Sequence, residues 1–283
     1  MTAFPRTLDL AGWSVHVPGL SAADLPGSPE NPACAPGDAK EVLGRKGLLG
    51  KEPSTRLALC AVHRALGLPP GLLQEPLPYA PGTAVVVASN LGNVETVCSV
   101  LTDVRGRGGS AVSPMDAPNA SSNVIASTLA IRYGFTGPNL AVCSGATAGL
   151  DALSLARRLI LAGRAPRAVV VGVEPADPVA VRLAALRAQG PAPLAAGAGC
   201  LLLGEPGAWP GTTGVRLGAV RRTTGPVERT GPEPGDFYGA AGVIRTAVAA
   251  ARGEACTVGC GDAEDGWAAV DLTVVEEATG VPA

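Results

Sequence analysis

Histidine is the scarcest chemistry-bearing residue here: the 283-residue chain has two, His16 and His63. Any mechanism that needs histidine beyond residue 63 is therefore excluded by counting. The seven cysteines (34, 60, 98, 143, 200, 256 and 260) contain no CxxC pair. Zinc sites draw on close ligand pairs, and secreted disulfide scaffolds are short and cysteine-dense. Most of these thiols therefore read as small buried hydrophobes in a reducing cytosol. Aromatics make up 3% of the chain, and lysine only three residues. The longest uncharged apolar run, Leu194 to Leu203, falls far short of the roughly 20 residues a membrane span requires. The opening MTAFPRTLDLAG lacks an apolar signal core. A net charge of −2 with no basic stripe argues against nucleic acid as a partner. The expectation is a soluble, cytoplasmic globular protein with no membrane or nucleic-acid partner, no metal and no cofactor.

What is present is ample core: 47% of residues are apolar, enough for one large domain or two small ones. The 38 glycines and 26 prolines lie between apolar runs and read as turns. Strands are expected over Thr7–Val17, Thr83–Ala88, Asn139–Val142, Ala168–Val173, Gly199–Gly204, Cys256–Gly259 and Ala268–Val275. Helical spacing predicts helices over Thr55–Leu68 (N-cap Ser54 or Thr55), Asn93–Val104, Asn123–Tyr133, Gly149–Ala162, Val179–Ala188 and Ala240–Arg252. Residues 20–54 read as an exposed connection with a short helix, and 205–235 as irregular. Strand–helix–strand order with an almost pure valine strand implies an α/β fold around a buried, parallel sheet.

Three ordered stretches carry a family resemblance. The first runs from Ile131-Arg-Tyr-Gly-Phe-Thr-Gly-Pro-Asn139 through Leu140-Ala-Val-Cys-Ser-Gly-Ala-Thr-Ala-Gly149 to Ala156. The second is Gly197–Glu205, and the third is Gly239-Ala-Ala-Gly242 opening an alanine-rich helix. Together they resemble the β-ketoacyl synthases of the thiolase fold. That implies a layered α-β-α-β-α unit over 1–283, with a ketosynthase-like half at 7–190 and an abbreviated C-terminal half at 191–283. In that family an elbow cysteine at a helix N-terminus takes an acyl chain from an acyl carrier protein, and two later histidines support condensation. Here the elbow position is Ala146. The histidine expected three residues before the glycine turn is Asp236, and no histidine lies between Glu205 and Gly239. The family's glycine-rich C-terminal loop is replaced by Gly261-Asp-Ala-Glu-Asp-Gly266.

A retained scaffold without its chemistry resembles the chain length factor, the non-catalytic partner of a ketosynthase in type II polyketide synthases. The usual chain length factor has glutamine where this chain has Ala146, and the short C-terminal half resembles those of polyene-making systems. The resemblance implies a heterodimer with an active ketosynthase, which receives the carrier protein and grows the polyketide chain in a shared tunnel. It places Val94, Val97, Cys98 and Leu101 along that tunnel. Met115, Asn119, Asn123 and the strand Asn139, Leu140, Ala141 and Val142 are placed at the partner interface.

Other readings stand beside this one. Cys143 is either a relocated nucleophile of an acyl-transfer or thioesterase-like enzyme or a buried structural thiol. The lack of a downstream histidine favours the second. A homodimeric acyl-binding protein is a third possibility. Ser144 lacks the flanking glycines of a hydrolase elbow. Cys60 and His63, at i and i+3, are half a metal site or core packing. Asp262, Glu264 and Asp265 read as a solvated turn too short for a calcium loop. Asn119-Ala-Ser121 matches a glycosylation pattern, and Arg157, Arg158, Arg164 and Arg167 flank a helix end as a solvated terminus or an acidic-partner site.

Overall fold

The computed structural model describes residues 7–20, 33–187, 193–227 and 235–275. Its strands and helices run β1 (Leu8–His16), α1 (Lys40–Leu43), α2 (Pro53–Ala65), β2 (Ala84–Ala88), α3 (Val94–Arg107), α4 (Val124–Tyr133), β3 (Asn139–Val142), α5 (Ala148–Leu161) and β4 (Arg167–Glu174). They continue with α6 (Pro178–Ala184), β5 (Gly197–Gly204), β6 (Val215–Leu217), β7 (Arg221–Thr223), α7 (Ala241–Arg252), β8 (Cys256–Asp262) and β9 (Gly266–Val274).

One sheet runs in the order β3-β2-β4-β5-β1-β6-β9-β7, with β8 paired to β9. Strands β3 and β4 flank β2, each parallel to it, whereas β5 lies antiparallel between β4 and β1. The valine runs are explained by burial on both faces. Val85, Val87, Val169 and Val171 enter the core under α2 and α4. The alternate residues Val86, Ala88, Ala168 and Val170 pack under α5 and α7. The C-terminal strands curl over that second core, where Val258, Val270 and Leu272 close on α5 and α7 from the far side. The layers are thus α2/α4, sheet, α5/α7 and curled sheet. Among the described residues, 193–275 add no outer helix to this thiolase-like order.

Helices α5 and α7 cross where both carry glycine. A Cβ on Gly149 would sit 2.9 Å from Gly242, and one on Gly242 would sit 2.8 Å from the Leu150 nitrogen. Only two glycines allow the backbones this close.

Several expectations need correcting. Residues 33–54 are not simply exposed: Ala39, Leu43 and Leu48 are buried with α2, which leaves 21–32 outside the described residues. Helix α2 begins at Pro53 with Glu52 as N-cap, and Ser54 donates instead to the Gly92 carbonyl. Within 205–235, three-residue strands β6 and β7 form because β1 and β9 supply partners distant in sequence; 228–234 lie outside the described residues. Among the described residues no helix is long and apolar enough to cross a membrane.

Candidate functional site

Strand β3 leads through Cys143 and Ser144 into a 3-10 turn at Gly145–Thr147 and then α5, a strand-to-helix elbow. Gly145 has φ +70°, the left-handed region that glycine adopts without steric cost. Asn90 clamps it from both sides: its Nδ2 donates to the Gly145 carbonyl (3.0 Å), and its Oδ1 accepts the Gly145 N–H (3.1 Å). Asn90 is itself held by Glu174, at the end of β4. The Glu174 carboxylate accepts the N–H groups of Asn90 (2.8 Å) and Leu91 (3.0 Å) and the Ser89 hydroxyl (3.3 Å). Complete burial drives this carboxyl up to about 7 against the opposing pull of those donors.

Residue 146 sits at the tip of the elbow with its methyl group buried, and its backbone N–H does not face an empty oxyanion position. It donates to Oδ2 of Asp265 at 2.7 Å. Asp265 comes from the β8–β9 turn, so the acidic turn packs onto the elbow and is not the solvated feature its composition suggests. A Cβ on Gly145 would fall 2.2 Å from that carboxylate. Arg187 anchors the turn by pairing with Asp265 (2.6 Å) and Asp262, and its guanidinium lies 3.8 Å from the Tyr238 ring centroid. The Asp262 Oδ1 accepts the N–H groups of Glu264 and Asp265 (3.0 and 2.7 Å), which sets the turn. Glu264 stays largely exposed.

The remaining candidates divide. Asp236 accepts the N–H of Tyr238 at 2.8 Å and so shapes its own turn, leading into the strained φ of +40° at Tyr238. Cys143 is exposed rather than buried, because β3 is the outermost strand and none of the described residues covers it. Its thiol donates to the Ser89 carbonyl at 3.0 Å, and partial burial, with the nearby Glu174 charge, raises its pKa. This is the opposite of nucleophile activation. Ser144 donates to Asp151 (2.6 Å), with no imidazole in the arrangement.

Asn119 is buried, with its Nδ2 on the carbonyls of Gly50 (2.6 Å) and Met115 (3.2 Å). Its side chain is therefore directed inward, away from any partner or glycan. Asn123 and Asn139 bond each other at 2.7 Å and tie α4 to β3. Met115, Ala141, Cys98 and Leu101 are exposed, and Val94, Val97, Leu140 and Val142 half-buried. His63 bonds the Pro69 carbonyl (2.8 Å) and does not share a site with Cys60. Of the four arginines, Arg167 lies over Trp209 at 5.7 Å, and Arg158 and Arg164 are exposed.

Arg187, Asn90 and Glu174 escape a reading of the sequence, and Asp265 is met there only as part of a solvated turn. Only Glu174 leaves a local trace there, a carboxylate ending an apolar strand just before Pro175.

The family model for the β-ketoacyl synthase N-terminal domain matches residues 48–191, which include the elbow. The chain belongs to the β-ketoacyl synthase family. The 3-oxoacyl-[acyl-carrier-protein] synthase 2 of Vibrio cholerae is 34% identical over 93 residues, covering 33% of this chain. That of Rhizobium meliloti is 32% identical over 92 residues. The match spans only 22% of either relative's length.

Solved structures share the fold across nearly the whole chain. The ishigamide ketosynthase/chain length factor superposes with a TM-score of 0.72 at 20% identity, covering 95% of this chain and 100% of that one. The AntDE:AntF complex, a ketosynthase with its carrier protein, gives 0.70 at 13% identity, covering 96% and 100%. The ApeO–ApeC ketosynthase and chain length factor of Xenorhabdus doucetiae gives 0.60 at 19%, covering 94% and 99%. At these identities the likeness is one of fold. Within the β-ketoacyl synthase scaffold, this chain has a strand-to-helix elbow with an alanine methyl group at residue 146, and it fills the adjoining N–H with its own carboxylate.

Proposed function

We propose that this chain is a non-catalytic chain length factor that pairs with an active ketosynthase and forms part of the wall of its acyl tunnel in type II polyketide biosynthesis. The observation that carries the reading is the elbow itself. Ala146 offers no nucleophile, and Asp265 occupies the backbone donor that an acyl oxyanion would need. Catalysis then belongs to the partner, which receives the acyl carrier protein in the cytoplasm. Residues 7–190 are the ketosynthase-like half of one unit and 191–283 the abbreviated half.

The surface supports pairing. Among the described residues strand β3 is hydrogen-bonded to β2 alone, so its other edge is open there, the kind of edge that soluble proteins cover by association. Helix α3 contains no buried residue although it carries five branched aliphatic side chains: Val94, Val97, Val100, Leu101 and Val104. Leu101 and Val104 are 48% and 42% exposed. In the pair, Val94, Val97, Cys98 and Leu101 meet the tunnel, while Met115 and Asn139–Val142 meet the partner; Asn119 and Asn123 support that surface from inside. Each further CH₂ of acyl chain gains about 0.8 kcal/mol on burial, and overpacking costs about 1–3 kcal/mol. One side chain is therefore enough to set the limit.

The test is reconstitution with the ketosynthase encoded nearest this gene, with acyl products read by mass spectrometry. Condensation should require both chains, follow the partner's nucleophile, and yield shorter products with Val97→Trp. Product lengths that ignore Val97→Trp and Leu101→Trp, or condensation by this chain alone, would overturn the reading.

A further inference from the structure

On the opposite side of the sheet from the elbow helix, β1 and α2 bring together three donors that are far apart in sequence. His16 ends β1 and is completely buried; Cys60 lies within α2 and is 1% exposed; Cys34, half-buried, lies just before α1. One imidazole nitrogen and the two sulfurs lie within 4.8 Å of one another. We infer that His16, Cys34 and Cys60 form a binding site for a single zinc ion.

The geometry fits the ion. Zinc–sulfur and zinc–nitrogen bonds of about 2.3 and 2.0–2.1 Å, at tetrahedral angles, place sulfur and nitrogen about 3.6 Å apart. Cys34 Sγ lies 3.7 Å from His16 Nε2. Two thiols and an imidazole form a donor set suited to zinc and poorly suited to magnesium or calcium. The two thiols hydrogen-bond each other, and Cys34 also faces the His16 ring. The ring bonds the Cys34 carbonyl through Nε2 at 3.1 Å, while its buried Nδ1 has no hydrogen-bond partner among the described residues. A carbonyl only accepts, so Nε2 carries the proton in this arrangement; zinc on the sulfur side would take the Nε2 lone pair of the other tautomer, with the proton moved to Nδ1.

Burial raises both thiols above their ordinary range, and it keeps His16 neutral, the form a metal requires. Zinc reverses the first effect. Binding converts both Cys–SH groups to thiolates and releases two protons, and the two negative charges balance the ion. Arg64 faces all three residues, and Glu41 faces Cys34. The fourth position falls to water or a small anion, entering beside the half-buried Cys34. The ion would staple the segment before α1 to β1 and α2, independently of what the elbow does or does not catalyse.

The experiment is metal analysis of the full-length chain, purified under reducing conditions and dialysed against zinc, alone or with its partner. Zinc should remain at about one equivalent and fall below about a tenth in Cys34→Ser, since losing a ligand costs at least as much as the 10–100-fold reported for outer-shell partners. Cys256→Ser should retain it. Replacing zinc with cobalt(II) should give a thiolate charge-transfer band and the intense visible bands of a four-coordinate site, both lost in Cys34→Ser. Cys34 is only half-buried, so this variant should keep its metal-free circular dichroism and melting curve. Absence of stoichiometric zinc and cobalt bands, retention of metal in Cys34→Ser, or a Cys34–Cys60 disulfide in freshly reduced protein would each overturn the assignment.

Discussion

Restoring a thiol at the elbow should not restore its reactivity, and the reason can be worked through. In Ala146→Cys the new sulfur lies on the residue whose N–H bonds the Asp265 carboxylate at 2.7 Å. A sulfur there sits about 5 Å from the carboxylate, where two unit charges at an effective dielectric of about 20 repel by about 3 kcal/mol. The Asp265 side chain is 23% exposed, so screening reduces this to roughly one to two pKa units. The helix N-terminus that would normally acidify the thiol is already facing a carboxylate. Asp265→Asn removes the negative charge and leaves Arg187 in place, so the thiol's pKa should fall by that one to two units. The assay is the pH dependence of iodoacetamide alkylation in a Cys143→Ser background, with modified peptides identified by mass spectrometry. At neutral pH the double variant should react about tenfold faster or more than Ala146→Cys with Asp265 intact. If Ala146→Cys alone alkylates as an acidic thiol, and Asp265→Asn changes nothing, the carboxylate does not control the elbow.

Three further outcomes follow from the same geometry. Glu174 holds its proton up to about pH 7 in the folded chain but releases it near 4.5 when unfolded. The folded state therefore binds more protons across that window, and this residue's contribution to stability should fall as pH rises from about 4.5 to 7 and level off above it. Glu174→Gln should abolish that slope in urea titrations at a series of pH values, while costing about 1–3 kcal/mol for turning an amide toward backbone donors. Gly149→Ala should lower the melting temperature, because backbone lies on the far side of the missing Cβ; overpacking of this kind costs about 1–3 kcal/mol or more. A melt unchanged from wild type would mean α5 and α7 do not cross there. Ala141→Lys, on the exposed edge of β3, should leave unfolding free energy within about 0.5 kcal/mol of wild type. It should nevertheless abolish co-purification with the ketosynthase; intact pairing would remove β3 from the interface.

The sequence made the central fold legible wherever local pattern and tertiary burial agree. The valine strands β2 and β4 announce two-sided burial, and Gly134, in the left-handed conformation, closes α4 as its position suggests. Disagreement arises where partners are distant. Strands β6 and β7 are too short to show a pattern and exist through pairing with β1 and β9. The periodicity of α3 gives a helix but not what covers it. The motif located the elbow at Ala146, yet nothing in the acidic turn reveals that Asp265 crosses 119 residues of sequence to reach it. Cys60 and His63 share helical spacing, but the fold delivers His16 and Cys34 to Cys60 instead.

The central claim, a scaffold without its own nucleophile that works as one half of a pair, is tested most directly by native mass spectrometry. The chain would be co-expressed with the neighbouring ketosynthase, carrying a tag on that partner alone. A one-to-one complex that dissociates on Ala141→Lys is the predicted result. A stable homodimer of this chain, leaving the tagged ketosynthase without it, would contradict the account.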